Sequence, residues 1–160
     1  LLHQSKKQGK DIDYLLQSIN FVMKRFFTNL YKYNMSNLLF VALGSMFGGV
    51  SRYWLSGFIQ KNFDTAFPVG VFIVNIAGCF LMGIIAGLLA HANVLTNNHR
   101  LLLAVGFCGS FTTFSTFSLD NLQLLSAKAY FLLSLNIGLS VILGLAATWG
   151  GYYLVQSLSK

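Results

Sequence analysis

Four apolar stretches fall at about residues 38 to 58, 69 to 90, 101 to 125 and 130 to 155, and each meets the roughly 20 mainly apolar residues that a helical span needs to cross a bilayer. Only 9% of the 160 residues are charged while 55% are hydrophobic, and the mean hydropathy is +0.63. That balance leaves no charged shell for a soluble domain. The expectation is an all-α integral membrane protein with four transmembrane helices in one domain, residues 35–160. The connections, at about 59 to 68, 91 to 100 and 126 to 129, are short enough to make successive helices up-and-down neighbours.

The net charge of +7 raises the question of nucleic acid until its location is considered. Six of the eleven basic residues, Lys6, Lys7, Lys10, Lys24, Arg25 and Lys32, precede the first span, and no basic groove for a polyanion follows. Residues 1–34 carry Ile12, Leu15, Leu16, Ile19, Met23, Phe26, Phe27 and Leu30 at three- and four-residue steps, the spacing of a basic amphipathic helix on a lipid surface. They lack the continuous apolar core and cleavage site of a secretory signal. Met35 stands just before the first span, so this segment reads as a non-native or dispensable extension. From Met35 onward, Arg100 and Lys160 lie on one side of the bilayer and Lys61 and Lys128 on the other, with Arg52 inside the first span toward the Lys61 end. Two against two gives almost no orienting bias and permits insertion both ways, although the six leader charges would favour an inward N-terminus.

Polar and small residues recur every four positions in three spans: Gly44, Gly48, Arg52 and Ser56; Asn75, Cys79, Gly83 and Gly87; Asn136, Ser140, Gly144 and Thr148. The glycines suit close helix packing, and Cys79 and Cys108 suit packing rather than a disulfide or zinc site. Asn75, Asn136 and Arg52 are costly at membrane depth without a partner or water, and point to a buried polar path. A path of uncharged donors can solvate an ion and still release it. There is no glutamate, and Asp120 is the one aspartate within a span, near a helix end. A proton-coupled exporter needs a mid-membrane acid, and His91 and His99 lie in a loop with no acid to orient them, so enzymatic chemistry is not expected.

The third span contains "GFCGSFTTFSTF", Gly106 to Phe117, where two glycines and five hydroxyl residues accompany four phenylalanines. Glycine weakens a helix and hydroxyls replace backbone bonds that a break releases, so an interruption is expected near 107–113. Irregular backbone at that depth has to be buried in protein or line water. Phe111, Phe114 and Phe117 recur every three residues, and the positive edge of a phenyl ring is a weak partner for a small anion.

The segments "GSMFGGVSRY" (Gly44–Tyr53), "PVGVFIVNIAGCFLMG" (Pro68–Gly83), "GFCGSFTTFSTFSLD" (Gly106–Asp120) and "LNIGLSVILG" (Leu135–Gly144) closely resemble the fluoride channel family, Fluc/CrcB, over roughly four-fifths of the chain. The resemblance implies a dual-topology antiparallel homodimer in the bacterial inner (plasma) membrane, with two pores that conduct fluoride passively and lower its cytoplasmic level. It implies pore residues Asn75, Phe114, Phe117, Ser140 and Thr148. It also implies a central structural sodium ion, not transported, on the backbone carbonyls of Gly109 and Thr112. Arg52 matches a first-span arginine near the vestibule, and Asp120 stands where the family commonly has glutamate. The competing readings are a small dual-topology multidrug or metabolite exporter and a nonconducting scaffold.

Overall fold

The computed structural model describes residues 35–90 and 95–159 together with Gln17, Asn20, Phe21, Met23 and Lys24. Residues 1–34, read above as an amphipathic extension, lie otherwise outside the described residues. Contacts divide the chain into Leu1–Leu38 and Leu39–Lys160, and the spans lie in the second unit apart from the first turn of the first helix. Among the described residues every element is helical, and four helical stretches are long and apolar enough to cross a membrane: Met35–Gln60, Val69–Ala90, Asn97–Ser126 and Tyr130–Leu158.

Helix α1 (Met35–Gln60) and the third span meet backbone to backbone. A methyl group on Gly48 would strike the Phe107 carbonyl oxygen, and one on Gly106 would lie 2.7 Å from the Val41 carbonyl. Glycine is therefore required here by close approach, since lipid gives helices no hydrophobic reason to associate and contact has to come from fit. Helix α2 (Val69–Ala90) uses the same device against the last helix: a methyl on Gly83 would strike the Thr148 carbonyl, and one on Gly151 the Phe80 carbonyl. Between α1 and α2 the chain is held by Gln60. Its Oε1 accepts from the Gly70 N–H at 3.0 Å, and its Nε2 donates to the Phe67 carbonyl at 3.3 Å.

The third span is built of distinct segments. A short turn, α3 (Asn97–His99), opens on a capping box in which Thr96 Oγ1 accepts from the His99 N–H and His99 Nδ1 accepts from the Thr96 N–H. His99 thus belongs to a helix start rather than to a loop. A π-helical segment (Arg100–Cys108) and α4 (Gly109–Phe111) follow. Thr112 (φ −95°, ψ 150°) and Thr113 (φ −147°, ψ 123°) are extended, and α5 (Phe114–Ser126) begins after them. Gly106 and Gly109 are not where the backbone leaves the helix, and no glycine among the described residues has positive φ. Helix α5 ends in a Schellman turn, with the Ala129 N–H donating to Leu124 and the Lys128 N–H to Leu125. Lys128 takes the left-handed position (φ 56°) that usually falls to glycine. The turn reverses the chain into α6 (Tyr130–Leu158).

Candidate functional site

The two extended threonines free Thr113 to bond outside its own helix. Its N–H donates to Asn75 Oδ1 at 3.0 Å, and its carbonyl accepts from Asn75 Nδ2 at 3.5 Å. One side chain of α2 thereby grips both backbone groups of a residue 38 positions away. Thr113 Oγ1 also caps α5 by accepting from the Thr116 N–H at 3.4 Å, and lies 2.9 Å from Ser115 Oγ. Thr112 Oγ1 turns back to the Cys108 carbonyl at 2.9 Å, which the Thr112 N–H also reaches at 3.0 Å.

These bonds have a consequence for two carbonyls. In a continuous helix the Thr113 N–H would close on Gly109 and the Thr116 N–H on Thr112. The first is given to Asn75 and the second to Thr113 Oγ1, so the Gly109 and Thr112 carbonyl oxygens are released from the helical ladder. Such hard oxygen donors are of the kind that suits a small cation. Among the described residues no group of three His, Cys, Asp or Glu side chains offers a metal site.

Asn75, Cys79, Thr112, Thr113, Phe114, Phe117, Ser140 and Val141 line one open groove of about 250 Å³. Four sequence-derived pore candidates, Asn75, Phe114, Phe117 and Ser140, therefore come together, with Thr112 beside them. The Phe114 and Phe117 rings are 5.8 Å apart between centroids and tilted by 37°, so edges as well as faces are presented. Their companions are the aliphatic Val141 and carboxamide, thiol and hydroxyl groups, with no charged side chain in the lining. A small anion would meet weak dipoles there and no fixed charge to trap it.

The lining does not include Thr148, Gly109, Arg52 or Asp120. Thr148 Oγ1 donates to the Gly144 carbonyl of its own helix at 3.0 Å. Arg52 Nε and Asp120 Oδ2 are both buried with no hydrogen-bond partner among the described residues. Cys79 is the lining residue that sequence reasoning assigned to packing; the four-residue step from Asn75 was the available signal. Its sulfur sits 3.5 Å from where a Gly144 side chain would begin, so the absence of a side chain at Gly144 makes room for it.

Fold and groove together define a multi-pass helical membrane protein with an uncharged polar cleft beside the extended residues Thr112 and Thr113. Residues 39–152 match the family described as CrcB-like protein, Camphor Resistance (CrcB), and the chain belongs to that family. It is 41% identical over 124 residues to the fluoride-specific ion channel FluC of Flavobacterium psychrophilum, covering 78% of this chain and all of that protein. It is 41% identical over 121 residues to FluC of Vibrio parahaemolyticus, covering 76% and 95%. FluC of Maridesulfovibrio salexigens is 40% identical over 120 residues, covering 75% and 95%.

Proposed function

We propose that this chain is a fluoride-selective channel of the bacterial cell membrane that lets fluoride leave the cytoplasm passively. The observation that carries the reading is the convergence of Asn75, Phe114, Phe117 and Ser140 on one uncharged groove, in a chain about 40% identical to proteins named fluoride-specific ion channels. Fluoride enters cells as neutral HF, dissociates, and the anion leaves down its electrochemical gradient. The membrane potential assists that exit by ~2.3 kcal/mol per charge per 100 mV. In the groove the Phe114 and Phe117 edges and the Ser140 hydroxyl supply weak positive partners, and Asn75 both faces the anion and holds Thr113 in its extended form.

The working unit in this reading is an antiparallel homodimer with dual topology, and the third span is broken at mid-membrane. Two features support the second copy. The Phe114 ring is 80% exposed, leaving a large apolar surface beside an open groove, and basic residues from Met35 onward are balanced between the two sides. The released Gly109 and Thr112 carbonyls would hold the sodium ion, which supplies a fixed structural charge between subunits and is not conducted. Arg52 stands at the vestibule, Asp120 beyond the phenylalanines, and Thr148 extends the hydroxyl track along α6.

The test is Phe114→Ile in potassium-loaded liposomes with valinomycin, read by a fluoride electrode. Fluoride efflux is expected to fall at least ten-fold while the purified protein remains dimeric; unchanged efflux removes that ring from the pore. Insertion topology of the full chain against one starting at Met35 tests the dual arrangement. Two-way insertion of the shorter chain is expected, and one-way insertion of both forms contradicts it.

A further inference from the structure

Among the described residues Asn136 is the one polar side chain that is fully buried, at 1% exposure. An amide hidden so completely is costly unless it is bonded, and its Nδ2 donates to Asn121 Oδ1 of α5 at 2.9 Å. Asn121 comes four residues after Phe117, and Asn136 four residues before Ser140. Helical positions four apart share a face. The turn at residues 127–129 reverses the chain, so the pair forms the next rung beyond Phe117 on α5 and Ser140 on α6. The rung ties the two helices by a directional bond where apolar contacts alone would allow sliding.

We infer that Asn121 and Asn136 are positioning residues for conduction: their side-chain bond fixes α5 against α6 and sets the separation of Phe117 and Ser140 across the groove. The inference rests on the channel reading. A clasp of this kind governs how closely ring edge and hydroxyl can surround an ion, and so bears on fluoride against larger anions as well as on rate. Neither asparagine lines the groove, which separates their role from that of the residues expected to touch fluoride.

The test compares Asn121→Leu, Asn136→Leu and the double variant with wild type, measuring thermal stability of the purified protein and efflux of fluoride and chloride from liposomes. Asn121→Leu strands the fully buried amide of Asn136 and Asn136→Leu the half-buried amide of Asn121, so both are expected to be less stable, the first the more so. The double variant replaces both partners by apolar groups of similar branching and is expected to regain stability, because no polar group is left unpaired. Its fluoride efflux is expected to stay at least ten-fold below wild type, or its fluoride-to-chloride ratio to fall by at least that factor. Recovery of wild-type efflux and ratio along with stability would reduce the pair to a packing contact and overturn the inference. If single variants fail to fold, the double variant alone decides. Wild type conducts in parallel, so its silence toward fluoride would refute the channel reading itself and this inference with it.

Discussion

Replacing Asn75 by leucine removes the only side chain among the described residues that bonds Thr113 from outside its own span, and the cost can be worked from the two distances. The 3.0 Å bond to the Thr113 N–H is well formed, whereas the 3.5 Å contact to the carbonyl is at the limit and adds little. Losing one such bond costs about 1 kcal/mol net, and stranding the N–H raises the total to about 2–3 kcal/mol. The alternative acceptor is the Gly109 carbonyl, and taking it would re-close the ladder that the structure leaves open. Thermal unfolding in detergent should therefore show Asn75→Leu less stable by about 2 kcal/mol, with fluoride efflux reduced at least ten-fold. Asn75→Asp separates the two roles of the residue. It keeps an acceptor for the Thr113 N–H and so should retain most stability. It also places a negative charge on the groove, and at about 5 Å with an effective dielectric near 20 the repulsion of an anion is ~3 kcal/mol, roughly a hundred-fold in occupancy. An Asn75→Leu protein with wild-type stability, or an Asn75→Asp protein with wild-type efflux, would refute this reasoning.

Further outcomes test other parts of the account. Gly48→Ala should disrupt packing of α1 on the third span and lower the yield of folded protein, because its methyl meets the Phe107 carbonyl; the neighbouring Gly49→Ala meets nothing within 4 Å and should fold normally. Lys128→Gly relieves a left-handed lysine and should raise stability by about 1 kcal/mol in thermal unfolding, with efflux unchanged. Asp120→Asn should keep fluoride efflux within a few-fold of wild type and leave it passive. Complete loss would instead favour a proton-coupled exporter using that buried oxygen.

The spans were legible because hydropathy and length are the quantities a bilayer selects. Their ends were less so: α1 runs on to Gln60 and α6 to Leu158, carried past the apolar stretch by turns and caps that hydropathy does not register. Polarity at depth and spacing drew attention to Asn75, Ser140, Phe114 and Phe117 among other residues, the family resemblance singled them out as pore candidates, and they share the groove. What joins them was not legible. The partner of Asn75 is a backbone 38 residues away, and nothing local to Asn136 names Asn121. The π winding of Arg100–Cys108 was also invisible, since one apolar run is compatible with either helix. Gly106 shows how a correct observation can carry a different cause. It was read as a weak point of the helix, yet it serves as the surface on which α1 rests.

The most direct measurement is electrogenic efflux from potassium-loaded liposomes containing the purified protein, started by valinomycin and followed with fluoride- and chloride-selective electrodes. The account predicts rapid fluoride efflux that ceases without valinomycin, and chloride efflux no faster than from protein-free liposomes. Absence of fluoride efflux, or chloride leaving as fast as fluoride, would contradict it.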